Sequence, residues 1–209
     1  KTLRITARQL TGNGMCFQFV PYKQGQVDAF PDRFQIDHST YMYDVESVSM
    51  PLESRRLGRS DEPWLTQVAV KLRLIETHLA LYSSHDVRQV DHLQMSVKLR
   101  KTEIDALYLA HIIDPDTNEL TRMLVCCESK QNNERILEEQ VESQMHAAFN
   151  TMDVSTVCPM AMVASRYDGA NGVHVVEFKS VKRDELNAFL ELERVSSGFY
   201  RLHPKVPGV

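Results

Sequence analysis

No run of this chain is long and apolar enough to cross a bilayer, and its opening, KTLRITARQL, lacks the apolar segment of a secretory signal. Residue 1 is not Met, which leaves the native start open. Cysteine is sparse, and Cys16, Cys126, Cys127 and Cys158 show no metal-type pairing. Reduced cysteines in a cytoplasmic protein are therefore expected. The 8 histidines are scattered without ligand spacing, which argues against zinc. There is no glycine-rich phosphate loop and no nucleophile elbow for Ser-His-Asp chemistry. An excess of positive charge is missing too: the formal net charge is -4, which excludes a generic basic nucleic-acid binder. It does not exclude an enzyme whose acidic site lowers the total.

What is present is ordinary in bulk, with 43% apolar and 25% charged residues over 209 positions, enough for one large domain or a core with an elaboration. Residues 1–59 mix short strand-like runs (Met15 to Val20) with Gly, Pro and Asp breaks and end in an exposed loop, Ser54 to Pro63. Residues 60–209 are more regular. Leu65, Val68, Leu72, Ile75 and Leu79 recur at helical spacing, which predicts a helix from Ser60 or Asp61 to Tyr82 with Pro63 in its first turn. Met95 to Arg100 reads as a short strand. Thr102 to Gln131 reads as a hairpin, apolar on both faces of each arm, around the turn Asp114-Pro115-Asp116-Thr117-Asn118. Cys126 and Cys127, adjacent in the second arm, then point to opposite faces. A helix over 133–150 follows, then strands from Thr156 to Ser165 and Val173 to Val181. A short helix from Asp184 to Leu192 and an extended tail from Phe199 to Val209 complete the chain. The order predicts an α/β fold with a central mixed sheet flanked by helices.

The hairpin carries the chemistry. Asp105 lies near the start of its first strand, and Glu128-Ser129-Lys130 ends its second. Alternation along a strand turns Glu128 and Lys130 the same way. Charges at the inner ends of very apolar strands are costly unless paired or functional. Two carboxylates and the Ser129 carbonyl suffice to anchor Mg²⁺, which keeps several waters, with Mn²⁺ as a substitute. Lys130 would then orient the attacking water and offset charge in the transition state. Arg55, Arg56 and Arg59 form one basic cluster, Lys98, Arg100 and Lys101 a second, and Lys179, Lys182 and Arg183 a third. Alone, each is a solvated surface; around an acidic metal site they would make a phosphate track for DNA. Glu177-Phe178-Lys179 is a second E-x-K, but Asp168, the acid before it, is too near across a Gly-rich turn to leave room for a first strand. His111 lies about 20 Å along the strand from Asp105, too far to share one metal. The sole tryptophan, Trp64, reads as core packing, and Tyr41 and Tyr43 as either local packing or DNA contacts.

These residues resemble the PD-(D/E)xK, or restriction-endonuclease-like, nuclease superfamily. The order of elements matches over about Ser60 to Val181, and the motif match is Asp105, Glu128 and Lys130, with Ile104 where a proline often stands. The resemblance implies a restriction-endonuclease-like core over 60–209. It makes Asp105, Glu128 and Ser129 metal ligands and Lys130 a catalytic residue. It adds Glu76 as the glutamate contributed by the preceding helix and Gln140 as a supporting glutamine in the following one. The implied activity is Mg²⁺-dependent hydrolysis of DNA phosphodiester bonds by a restriction-type or defence endonuclease. Cutting both strands would call for a homodimer, and residues 1–59 would serve recognition or dimerisation. The rival is a non-catalytic nucleic-acid-binding or protein-interaction module on the same fold.

Overall fold

The apolar runs of the hairpin form the middle of one mixed sheet. The computed structural model describes residues 3–9, 17–22, 24–29, 31–99, 102–188 and 191–209. The sheet runs in the order β3 (Tyr41–Glu46), β10 (Arg194–His203), β8 (Ala170–Phe178), β7 (Thr156–Tyr167), β6 (Leu120–Lys130), β5 (Thr102–Ile113) and β4 (Asp86–Leu99). A short β9 (Val181–Lys182) pairs with the start of β7. β1 (Ile5–Gln9) and β2 (Phe17–Pro21) make a separate two-stranded ribbon. β4, β5 and β6 are an antiparallel meander. β7 lies parallel to β6, which requires a crossover, and α4 (Glu138–Thr151) supplies it. β8 and β10 continue antiparallel, and β3, from the irregular N-terminal part, closes the far edge parallel to β10.

Helices cover both faces. α2 (Glu62–Lys71) and α3 (Leu74–Tyr82) bring Leu65, Val68, Ile75 and Leu79 against Tyr108, Val125, Met160 and Val175. α4 brings Met145, Ala148 and Phe149 against Ile104, Leu124, Cys126 and Val157. With both faces buried, β5 and β6 are apolar at consecutive positions, as their sequence indicates. Cys127 belongs to the α2–α3 side and Cys126 to the α4 side, both as free thiols. Cys16 lies outside the described residues. The hairpin turn is held by the Asp114 carboxylate, which accepts the N–H groups of Asp116 and Thr117 at 2.9 and 3.0 Å. Among the described residues, no helix is long and apolar enough to cross a membrane.

Several expectations are corrected. The helix predicted to Tyr82 starts as read, with the Asp61 carboxylate accepting the Trp64 N–H at 3.0 Å, but it breaks at Leu72–Arg73. Arg73 takes a left-handed φ of 56°, so α3 starts afresh and its side chains rotate relative to those of α2. β4 begins at Asp86 rather than Met95, because an exposed edge strand carries little apolar alternation for the sequence to display. α4 begins at Glu138 rather than near Asn133: Asn132 and Asn133, at φ 52° and 57°, form a left-handed turn out of β6. The predicted helix after Asp184 is a short 3-10 turn, Arg183–Ala188. The tail is extended only as far as His203, as a paired strand that starts at Arg194 with Phe199 and Tyr200 fully buried, and it ends in a turn over 204–209. A short helix in the loop before α2, α1 (Leu52–Arg56), was not anticipated.

Candidate functional site: a forked sheet end lined with carboxylates

The β5–β6 ladder stops at Ala106 opposite Cys127. β5 continues backwards to Thr102 paired with β4, and β6 continues forwards to Lys130 paired with β7. The two central strands therefore part company at the positions of Asp105 and Glu128. The Asp105 carboxylate fills the gap and accepts the backbone N–H of Ser129 at 2.7 Å. The fork opens a cleft of about 310 Å³, walled by the first turn of α2 (Glu62, Pro63, Thr66), by Ser96 of β4 and by α4 (Glu139, Gln140, Ser143, Gln144). Asp105, Glu128 and Lys130 all line it.

Alternation along β6 turns Glu128 and Lys130 into this space together. Lys130 Nζ stands 2.7 Å from Glu128 Oε1 and 3.2 Å from Glu62 Oε1. The other Glu128 oxygen accepts the side-chain N–H of Gln144, which also donates to the Glu103 carbonyl at 3.1 Å. Ser129 points to the opposite face, its hydroxyl 2.8 Å from that of Thr66. Its carbonyl belongs to the segment of β6 that pairs with β7 opposite Met162.

The electrostatics are those of a crowded acidic site. Burial, and then the charge of Glu128, push Asp105 well above the usual carboxylate range. Burial also raises Glu128, partly offset by the Lys130 ammonium. Burial opposes the Lys130 charge, but Glu128 and Glu62 outweigh it and hold its pKa above the ordinary lysine value. Lys130 is thus a cation here, not a free base. The side-chain oxygens of Gln140 and Gln144 are buried without a hydrogen-bond partner, and Gln144 is only 2% exposed.

The residues present fit Mg²⁺ or Mn²⁺. Two hard carboxylates line one cleft together with two glutamines, and such an ion needs few protein ligands because it keeps its waters. Among the described residues, no three or more His, Cys, Asp or Glu side chains are grouped as a complete metal cage.

Of the helix residues singled out from sequence, Gln140 lines the cleft, whereas Glu76 does not. Glu76 lies on α3, with Oε1 3.5 Å from Arg73 Nε and Oε2 buried without a partner. The helix glutamate that meets Lys130 is Glu62, and the glutamine that touches Glu128 is Gln144. Sequence reasoning missed both. The signals were there: Glu62 follows the Asp61 cap, and Gln144 lies one helical turn beyond Gln140.

The basic clusters are dispersed. Lys98 is exposed on β4, opposite the cleft-lining Glu103. Arg100 and Lys101 lie outside the described residues. Arg55 and Arg56 sit on α1, and Arg59 pairs with Asp61 at 2.8 Å; none of the three lines the cleft. Lys179 stands 3.7 Å from Glu193, and Lys182 pairs with Asp116 at 3.3 Å. Lys182 is opposite Thr156, itself opposite Met123, and so lies about 23 Å along the sheet from Lys130 at the usual rise per residue. Arg183 donates to the carbonyls of Phe149, Met152 and Val154 and closes the C-terminus of α4. Trp64 is a packing residue as expected, its Nε1 donating to the Pro207 carbonyl at 2.8 Å. No protein-family model, no curated protein and no solved structure matches this chain.

Proposed function

We propose that the protein is a metal-dependent DNA endonuclease that hydrolyses phosphodiester bonds on a restriction-endonuclease-like core, in the manner of restriction or defence nucleases. The observation that carries this reading is the meeting of Asp105, Glu128 and Lys130 in one cleft at the fork between β5 and β6. The order of elements supports it: a helix, a three-stranded meander bearing the acids, a crossover helix and a parallel strand. Asp105 and Glu128 would hold Mg²⁺ or Mn²⁺, joined by the Ser129 carbonyl. The bound ion supplies charge neutralisation at the phosphate and an acidified water. Lys130, kept protonated by its carboxylate neighbours, orients that water and stabilises charge on the phosphoryl oxygens rather than removing a proton. Gln144 fixes the rotamer of Glu128. A homodimer would place two such clefts on the two strands of a duplex.

The test is incubation of purified protein with plasmid and linear DNA in Mg²⁺, Mn²⁺ or EDTA, beside Lys130→Ala. Cutting that needs the ion and disappears in the variant supports the nuclease. One observation favours the binding-module reading instead. Among the described residues the cleft walls carry Glu62, Glu103, Asp105, Glu128 and Glu139 against Lys130, an unwelcoming surface for a phosphate chain without an ion. In that case Asp105→Ala would leave the biological activity intact and no DNA or RNA would be cut.

A further inference from the structure

Both oxygens of Glu128 are engaged, one by the Lys130 ammonium and one by the Gln144 amide. The Asp105 carboxylate holds the Ser129 N–H through one oxygen. Each Glu128 oxygen keeps a free lone pair, but a divalent cation that meets this carboxylate must share it with an ammonium 2.7 Å from Oε1, and like charges so close drive one of the two away. Of the two partners, Gln144 is anchored a second time, to the Glu103 carbonyl, and is buried. Lys130 has somewhere to go, because its Nζ already touches Glu62, a side chain 41% exposed on the first turn of α2.

We propose that Lys130 occupies the metal side of Glu128 as an internal counter-ion, and that Glu62 is the positioning residue that takes the ammonium when the metal enters. The inference rests on the metal-dependent reading above. It assigns Glu62 a role through Lys130 rather than as a ligand. Exchange of one cation for another keeps the charge of the buried pair balanced, which a vacated carboxylate pair would not. It also leaves Lys130 beside the cleft, tethered to α2, where a phosphate and its water would sit.

The test is Mn²⁺ binding by the full chain without DNA, followed by electron paramagnetic resonance of the free ion and by calorimetry. Lys130→Met should bind Mn²⁺ about tenfold more tightly than the wild type, because the competitor is gone. Glu62→Gln should bind it about fivefold more weakly, because the displaced ammonium loses its second carboxylate. The deciding arm is the double variant. If Glu62 acts through Lys130, Glu62→Gln changes the affinity by less than about twofold once Lys130 is Met. An equal effect of Glu62→Gln in both backgrounds overturns the proposal and makes Glu62 a direct electrostatic or ligand contribution. Tighter binding by wild type than by Lys130→Met overturns it as well. Either result leaves the nuclease reading standing, whereas no Mn²⁺ binding by any of these folded proteins, checked by circular dichroism, removes both.

Discussion

The sheet carries two E-x-K sequences, and the structure treats them in opposite ways. Glu128 and Glu177 are both buried near the ends of the two strands that flank β7, at 5% and 1% exposure. β6 continues through Lys130, paired with β7 opposite Val163, so alternation holds and Lys130 returns to Glu128. β8 ends at Phe178, so Lys179 has left the ladder and turns outward to Glu193. Glu177 instead accepts two hydroxyls, from Ser83 at 2.6 Å and Ser196 at 2.7 Å. Ser196 has one proton, which it gives to Glu177, so it accepts from His78 Nε2 at 2.8 Å; His78 Nδ1 then accepts from the Tyr200 hydroxyl at 2.9 Å. The chain of donors from Tyr200 to Glu177 is closed. The cleft network is not: Gln140 and Gln144 line it, and the side-chain oxygen of each is buried without a partner. Glu76 Oε2 and the Tyr108 hydroxyl are also buried without a partner, so the two glutamine oxygens point to a ligand only together with the cleft and the carboxylates beside them.

The largest expected effect separates the two glutamates by activity. Asp105→Asn or Glu128→Gln should lower ion-dependent DNA cleavage by about a hundredfold or more, whereas Glu177→Gln should leave the cleavage of the folded protein near the wild-type rate. Loss of cleavage in a folded Glu177→Gln variant would reverse the assignment. Stability should sort the other way. Glu177→Ala strands the buried Ser196 hydroxyl and the half-buried Ser83 hydroxyl and should cost about 3 kcal/mol in urea unfolding, while Asp105→Asn relieves the repulsion with Glu128 and should stabilise the metal-free protein by about 1 kcal/mol at pH 8. A stable Glu177→Ala would show that the closed network contributes little.

pH sharpens the contrast. Asp105 is raised in the fold, so its contribution to stability is present at low pH and is lost as pH climbs from the ordinary 3.8 through the raised value, to about 7. His78 is lowered by burial from 6.5 to about 3, so its contribution is present above 6.5 and is lost as pH falls below that value. The two windows overlap but their slopes oppose: Asp105→Asn should remove a loss of melting temperature as pH rises from 3.8 to about 7, and His78→Gln a loss as pH falls from 6.5 to about 3; a change of the opposite sign in either variant refutes the assignment. The smallest effect lies between the two regions. Arg73 joins the helix that carries Glu62 to the helix that carries His78 and holds a left-handed φ. Arg73→Gly should remove that strain and stabilise the fold by about 0.5 kcal/mol, read as a small rise in melting temperature.

Much of this was legible in the chain. The doubly buried hairpin, its Asp114 turn, the Asp61 cap of α2 and the shared face of Glu128 and Lys130 follow from local rules of alternation, capping and turn chemistry. Less legible were the elements that exist because of a partner. β4 gains its first nine residues from pairing with β5, and the tail becomes a strand because β8 and β3 lie on either side of it. The expectation for Glu76 rests on the resemblance and on one helix running unbroken to Tyr82, and the left-handed residue at Arg73 breaks that helix.

By itself, then, the sequence determined which strands are buried, where their carboxylates fall and which way each one points, because these depend on neighbours two to four positions away. Only the tertiary structure decided which glutamate keeps its lysine, which helix reaches the fork and which buried oxygens remain open. Those depend on where pairing stops and on what packs across the gap, and the partners lie far apart in the chain, 68 positions in the case of Lys130 and Glu62.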